Sequence, residues 1–147
     1  MGLALFDSNI LIDALKGVEQ AMIEIRYFKH IAISSISWME LIAKPLAEEA
    51  AGRITSAEML AAHTFVATFT VIHTDDAIMT EAAVVRAQSL LKPPKIQLPD
   101  AIIQTTANVT GRLLVTRNKK DFRGKNLRCP YELQNGRVFN IAAPPTR

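Results

Sequence analysis

Residues 3–12 read Leu3-Ala4-Leu5-Phe6-Asp7-Ser8-Asn9-Ile10-Leu11-Ile12, and this segment indicates the kind of fold more clearly than any other. Four apolar residues end at an acid, a polar pair follows, and a second apolar run begins at once. The first run predicts a short buried strand, and the second predicts a helix over Ile10–Lys16 that ends at Gly17. The chain therefore opens with a strand that delivers Asp7 to the start of a helix.

The same alternation continues along the chain. Short runs rich in Ile, Val and Leu, typical of strands, occupy Leu3–Phe6, Ile31–Ser34, Thr70–His73, Leu113–Thr116 and Arg137–Phe139. Further helices are predicted over Glu19–Lys29, Ser37–Lys44 with a stop at Pro45, Ser56–Phe65 with a Ser56 cap, Asp75–Leu91 and Asp100–Thr110. Strands that alternate with helices predict an α/β fold with a central parallel sheet of four to five strands.

The composition fits one domain over residues 1–147. Hydrophobic residues make up 49% of the chain, which is enough apolar material for a single core. Cys129 is the only cysteine, so no internal disulfide can form and a reducing compartment is favoured. The N-terminus has neither the charged segment nor the long apolar run of a secretion signal or membrane span. We therefore expect a cytoplasmic protein that does not enter a membrane.

Charge is divided unevenly between the two parts of the chain. Residues 1–91 hold 6 basic and 11 acidic residues, whereas residues 92–147 hold 11 basic and 3 acidic residues. The formal charge is therefore −5 in the first part and +8 in the second. A basic C-terminal part suits a polyanion partner such as RNA, because lysine and arginine displace counterions from phosphates. Solvated surface charge is the alternative.

Acids that follow predicted strands are the first candidates for a functional site, because open parallel α/β sheets bind ligands beyond the carboxyl ends of their strands. Four residues meet this condition: Asp7, Glu40, Asp100 and Asp121. Each also has a structural explanation. Asp7 and Asp100 could cap helices, Ser37 and Glu40 fit a capping box, and Asp121 could offset the basic residues around it.

Taken together, the four acids indicate a metal site. Several carboxylates in one small pocket repel each other and need a cation. Ligation by oxygen alone favours Mg²⁺, with Mn²⁺ as a substitute, over zinc. Such ions activate a water and neutralise charge on a phosphodiester as it is hydrolysed, so no protein nucleophile is needed.

Four motifs in this order resemble those of PIN domains, especially VapC-like toxins. They are Phe6-Asp7-Ser8-Asn9-Ile10-Leu11-Ile12-Asp13, Trp38-Met39-Glu40-Leu41, Leu98-Pro99-Asp100-Ala101-Ile102-Ile103 and Thr116-Arg117-Asn118-Lys119-Lys120-Asp121-Phe122. The resemblance covers residues 1–123, and residues 124–147 supply a further strand and a tail. It implies a three-layer α/β/α PIN-like domain.

The resemblance also implies roles for individual residues. Asp7, Glu40 and Asp100 would form an acidic metal-binding core that Asp121 completes. Three polar residues would orient these ligands: Ser8, Thr116 and Asn118. Asp13 points away from this pocket on the predicted helix, and we expect it to be a solvated residue.

A VapC-like protein is expected to be a Mg²⁺-dependent endoribonuclease and the toxin of a toxin–antitoxin pair. The resemblance implies that the antitoxin binds near Glu19–Lys29 and Ala47–Phe65, and that the toxin forms a homodimer or a higher assembly. Four basic residues next to Asp121 would dock RNA phosphates, unless they only form a solvated loop: Arg117, Lys119, Lys120 and Arg123. The alternative function is a catalytically silent PIN fold that binds RNA or protein.

Overall fold

A five-stranded parallel sheet forms the centre of the computed structural model, which describes residues 2–146. Its strands are β1 (Leu3–Phe6), β2 (His30–Ser34), β3 (Thr70–Ile72), β4 (Leu113–Val115) and β5 (Leu127–Arg128). They lie in the order β3-β2-β1-β4-β5, and every neighbouring pair is parallel. The predicted central parallel sheet is confirmed, and β1 is its middle strand.

Helices cover both faces of this sheet. They are α1 (Ser8–Leu15), α2 (Glu19–Arg26), α3 (Ser35–Ala50), α4 (Ser56–Val66), α5 (Asp76–Leu91) and α6 (Leu98–Val109). Neighbouring residues of a strand face opposite sides, so Ala4 and Phe6 join the core beneath α1 to α4, while Leu5 joins the core beneath α6. The three-layer α/β/α arrangement is confirmed. Within residues 2–146, none of these helices combines the length and apolar character needed to cross a bilayer.

Helix α3 differs from its prediction at both ends. It begins at Ser35 rather than Ser37, and its cap is Ser34, whose Oγ accepts a hydrogen bond from the Ser37 amide at 3.1 Å. The predicted capping box of Ser37 and Glu40 is therefore wrong. The helix also continues through Pro45 to Ala50, because strong helix formers follow the proline and α3 packs along α4. The predicted stop at Pro45 is wrong as well.

Helix α4 also has a different cap from the one predicted. Thr55, rather than Ser56, precedes the first helical residue, and its side chain accepts a hydrogen bond from the Glu58 amide. The Glu58 carboxylate accepts one from the Thr55 amide in return. This reciprocal pair is a capping box, and it satisfies two amides that have no partner inside the helix.

The C-terminal strands form a separate hairpin. β6 (Glu132–Gln134) and β7 (Arg137–Phe139) are antiparallel to each other, and neither belongs to the central sheet. The strand predicted at Arg137–Phe139 exists, but its place in a parallel sheet was wrong. Asn135 and Gly136 both have positive φ, as a tight two-residue hairpin turn requires, so β7 pairs with its neighbour in sequence.

Candidate active site

The fold brings all four predicted acids to the carboxyl edge of the sheet. Asp7 follows β1 directly, and Glu40 lies in the second turn of α3, which follows β2. Asp100 lies in the first turn of α6, and Asp121 ends a 3₁₀ turn (Lys119–Asp121) after β4. The charges of the other three acids all raise the pKa of Asp100, so the four carboxylates share one electrostatic environment.

Hydrogen bonds hold the Asp7 carboxylate between the ends of β1 and β4. Its Oδ1 accepts a hydrogen bond from the Ser8 amide at 2.8 Å, so it does cap α1. Its Oδ2 accepts bonds from Thr116 Oγ1 at 2.8 Å and Asn9 Nδ2 at 3.2 Å. Burial raises the pKa of Asp7, while the bonds from Thr116 and Ser8 oppose this rise. The carboxylate therefore combines the structural role of a cap with a fixed orientation toward the site.

Glu40 is connected to the same network through Ser8. The Ser8 hydroxyl donates to Glu40 Oε2 at 2.6 Å, which joins the first turn of α1 to α3. Glu40 is otherwise exposed. Because the Ser8 hydroxyl is its one side-chain partner within the described part of the chain, this carboxylate keeps acceptor capacity for a further ligand.

Asp100 has the most perturbed carboxyl group of the four. Gln97, rather than Asp100, is the N-cap of α6, so the structural explanation of Asp100 as a helix cap does not hold. Burial first, and then the charges of Asp7, Asp121 and Glu40, raise the pKa of Asp100 from 3.8 to about 6. Near neutral pH the group is mostly ionised and repelled by its neighbours, an arrangement that a cation would relieve.

Asn9 joins the site as a residue that the sequence analysis did not single out. Its Nδ2 donates to Asp7 and to Thr116 Oγ1 at 3.3 Å, and its Oδ1 accepts from the Arg117 amide at 3.3 Å. It thus connects the end of β1 with the end of β4. Its position two residues after Asp7 was the available signal, but a single amide side chain in a first helical turn has many other uses.

The donor set suits a hard divalent ion. All four acids supply oxygen, and serine, threonine and asparagine side chains surround them. Within residues 2–146, no three acidic, histidine or cysteine side chains stand at the spacing of a fully formed metal site. The carboxylates nevertheless act on one another through their charges. Because they are not yet at ligand spacing, ion binding would require side chains such as the exposed Glu40 to move inward.

A match to a family model shows to which protein family this chain belongs. The PIN domain model matches residues 4–125, which include all four acids. The chain belongs to the PIN-domain family. PIN domains related to VapC are in general nucleases that use divalent metal ions.

Solved structures agree with the PIN assignment. A chain of a toxin–antitoxin complex from Klebsiella pneumoniae is 32% identical, covers 88% of this chain and 99% of its own length, and has a TM-score of 0.73. VapBC structures bound to DNA from Salmonella typhimurium and Rickettsia felis share the fold, with 24% and 23% identity and TM-scores of 0.72 and 0.69. They cover 87% and 86% of this chain and 96% of each matched chain. The comparison with curated proteins gave no match.

A buried ionic network that includes Asp13 adjoins the four acids through Arg117, the residue after Thr116. Asp13 is only 2% exposed, so the expectation of a solvated helix residue is wrong. Its carboxylate accepts bonds from Arg117 Nε at 2.5 Å and Nη2 at 3.2 Å, and from the Tyr131 hydroxyl at 2.7 Å. Glu24, also buried, forms a similar two-point pair with Arg128. The two pairs tie α1 and α2 to the segment after β4.

The predicted basic residues have different surroundings in this PIN domain. Lys119 and Lys120 are exposed beside Asp121. The Arg117 guanidinium is paired with Asp13, and Arg123 Nη2 donates to the carbonyl oxygens of Lys92 and Pro94. Among residues 2–146 the two lysine ammonium groups have no hydrogen-bond or ion-pair partner, and they lie next to Asp121, whereas the two arginines already serve the structure of the loop.

Proposed function

We propose that this protein is a Mg²⁺-dependent endoribonuclease and the toxin of a toxin–antitoxin pair. The observation that carries the proposal is the meeting of four carboxylates at the carboxyl edge of the sheet, where three of them raise the pKa of the fourth. Such repulsion lowers the stability of the fold, and groups perturbed in this way are typical of functional sites. Metal-assisted hydrolysis of a phosphodiester is the reaction that this set of groups suits best.

In the proposed site, Asp7 and Asp100 would hold the ion, with Glu40 and Asp121 completing the set. When bound, Mg²⁺ would lower the pKa of a water and neutralise charge on the phosphate. The protein groups keep the ligands in place: Thr116 and Asn9 orient Asp7, and Ser8 holds Glu40. Asn118 supports Thr116, because its backbone amide donates to Thr116 Oγ1 at 3.0 Å.

RNA phosphates would dock on Lys119 and Lys120. Both side chains are exposed, and both belong to the 3₁₀ turn that also carries Asp121. A phosphate held there would lie beside the acidic cluster, which consists of Asp7, Glu40, Asp100 and Asp121. Arg117 and Arg123 would contribute through the shape of the loop, since their guanidinium groups are engaged in other contacts.

Purified protein incubated with a mixed cellular RNA pool tests the proposal directly. We expect defined cuts with Mg²⁺, none with EDTA, and restoration when Mg²⁺ or Mn²⁺ is added in excess. Cuts that persist in EDTA would reject the metal mechanism.

A catalytically silent RNA-binding PIN fold is the second candidate. It is favoured by one observation, namely that the carboxylates within residues 2–146 are not gathered at metal-ligand spacing. The same assay separates the two functions, because a silent protein would bind the RNA pool without cutting it under any metal condition.

Thr116→Val should lower cleavage by about ten- to a hundredfold, because the swap keeps the volume of the side chain and removes the hydroxyl that orients Asp7. The Mg²⁺ concentration for half-maximal cleavage should rise, and Thr116→Ser should restore both values. Thr106→Val is the matched control, since Thr106 is equally buried but bonds only to the Ile102 carbonyl within its own helix. Equal loss in Thr116→Val and Thr116→Ser would contradict a role for the hydroxyl.

An apolar groove suits the antitoxin. It has a volume of about 610 Å³ and runs between α1, α3 and α4, with Leu15, Leu41, Pro45 and Ala61 in its walls. Glu40 also lines it, so a segment lying in the groove would reach the acidic cluster. Part of the predicted Ala47–Phe65 surface contributes, whereas no residue of Glu19–Lys29 does. The related Klebsiella pneumoniae structure is a toxin–antitoxin complex, which supports this use.

Leu15→Arg should weaken co-purification with the co-expressed antitoxin by at least about thirtyfold, because a charge would be buried against an apolar ligand. Cleavage by the free variant should stay unchanged. Leu60→Arg is the matched control, because Leu60 is 68% exposed on α4 and lies outside the groove. Normal inhibition of Leu15→Arg by the antitoxin would place the antitoxin elsewhere.

A further inference from the structure

A second cavity lies between the basic loop and the C-terminal hairpin. Its volume is about 610 Å³, within the range of roughly 300–1,000 Å³ that is common for small-ligand sites. Its walls come from the loop after β4 and from both hairpin strands: Lys119, Lys120, Cys129, Glu132, Gln134 and Phe139. Residues after 125 lie beyond the part of the chain that the PIN domain model matches, and most of the residues that line this cavity belong to that later part.

The hairpin presents two different faces because its side chains alternate. Leu133 and Val138 form one cross-strand pair and pack against the core beneath α1 to α4, and Leu133 also contributes to the cavity wall. Glu132 and Phe139 form the next pair and therefore lie on the opposite face, toward the cavity. Phe139 is 39% exposed. An aromatic ring next to a carboxylate is thus held at the surface by a hairpin whose other face is anchored.

The charge around the cavity favours an anionic ligand with a planar polar ring. Lys119 and Lys120 are exposed on one side, whereas the Arg117 charge is already balanced by Asp13. Glu132 and Asn140 are hydrogen-bonded to each other on the hairpin side, where they offer acceptors and a donor. Bases of single-stranded RNA stack on aromatic rings and are read by such groups along their edges.

The cavity is also connected to the acidic cluster through one short element. The 3₁₀ turn Lys119–Asp121 contributes two lysines to the cavity rim and its last residue to the four acids. A nucleotide in the cavity would therefore have its phosphate near the lysines and the next phosphodiester toward the site of cleavage.

We propose that this cavity is a nucleobase subsite, in which Phe139 stacks on one base of the RNA substrate and Glu132 contacts its edge. The inference rests on the proposed ribonuclease function and extends it, because the subsite selects where the RNA is cut. Lys119 and Lys120 hold the adjoining phosphate. The hairpin thus acts in sequence preference, while the acids act in hydrolysis.

Binding of labelled single-stranded RNA in EDTA tests the subsite without cleavage. Fluorescence anisotropy is measured with 12-mers of oligo(A), oligo(C), oligo(G) and oligo(U). We expect the wild type to prefer one of the four, and Phe139→Ala to bind that RNA about tenfold more weakly and to lose the preference. Phe139→Tyr keeps the ring and should bind within about twofold of the wild type. Glu132→Gln should change the order of preference while keeping most of the affinity.

Cleavage by the same variants separates the two proposals. Phe139→Ala should keep metal-dependent cleavage at saturating RNA while its KM rises about tenfold and its cut positions become less selective. A wild type that binds RNA with base preference but never cuts would reject the nuclease and leave the subsite standing. A folded Phe139→Ala with unchanged affinity and preference would reject the subsite. If Phe139→Ala loses antitoxin binding without any loss of RNA binding, this result would also reject the subsite. It would assign the cavity to a protein partner.

Discussion

Asp100→Asn and Asp7→Asn should each lower metal-dependent RNA cleavage by on the order of a thousandfold, because each removes a negative charge that the proposed ion binds. Both variants should remain folded. Asparagine caps a helix about as well as aspartate, so Asp7→Asn retains the start of α1. Asp100→Asn removes a charge that its three acidic neighbours repel. Initial cleavage rates at fixed Mg²⁺ and circular dichroism of the same samples measure both expectations.

Asp76→Asn provides the matched control for this comparison. Asp76 is an exposed acid in the first turn of α5, a helix position similar to that of Asp100 in α6, and it lies outside the acidic cluster. Its replacement should leave cleavage within about twofold of the wild type. Full activity in Asp100→Asn or Asp7→Asn would remove that residue from the mechanism.

Asp13→Ala should cost about 3–5 kcal/mol of unfolding free energy, because it leaves the Arg117 charge largely buried without a partner. For a chain of this size, each 1 kcal/mol lowers the unfolding midpoint by roughly 2–4 °C, so the loss should be at least about 6 °C. The same substitution removes the acceptor of the buried Tyr131 hydroxyl. Thermal unfolding followed by circular dichroism measures the change.

Two further variants distinguish an ionic network from simple packing. Tyr131→Phe removes one hydrogen bond and should cost clearly less than Asp13→Ala. The double variant Asp13→Leu with Arg117→Met removes both charges and should recover part of the lost stability. If Asp13→Ala unfolds within about 2 °C of the wild type, the pair does not stabilise the fold as its burial indicates.

Features that depend on neighbours in sequence were predictable. Strand β1 has the bounds that its four apolar residues indicate, and α2 begins at Glu19 as expected. Alternation of strands and helices was sufficient to predict the parallel sheet, and the sheet in turn brings Asp7, Glu40 and Asp100 to one edge. Their role as metal ligands stays a prediction that the variants above test.

Features that depend on distant partners were not predictable. The surroundings of Asp13 are set by Arg117 and Tyr131, which lie 104 and 118 residues away in sequence. The extension of α3 past Pro45 reflects packing against α4, which overrides a local signal to stop. Asn9 belongs to the site because β4 lies next to β1, a pairing that no local pattern around Asn9 indicates.

The central position of β1 determines when during synthesis the site can form. Asp7 leaves the ribosome 109 residues before its partner Thr116. Until β4 emerges, one edge of β1 has no neighbour, and Asp121 has not yet been added. Arg128 and Tyr131, which hold α1 and α2 to the end of the fold, come later still. A nascent chain therefore lacks a complete acidic site until β4 and the turn that carries Asp121 have both been synthesised.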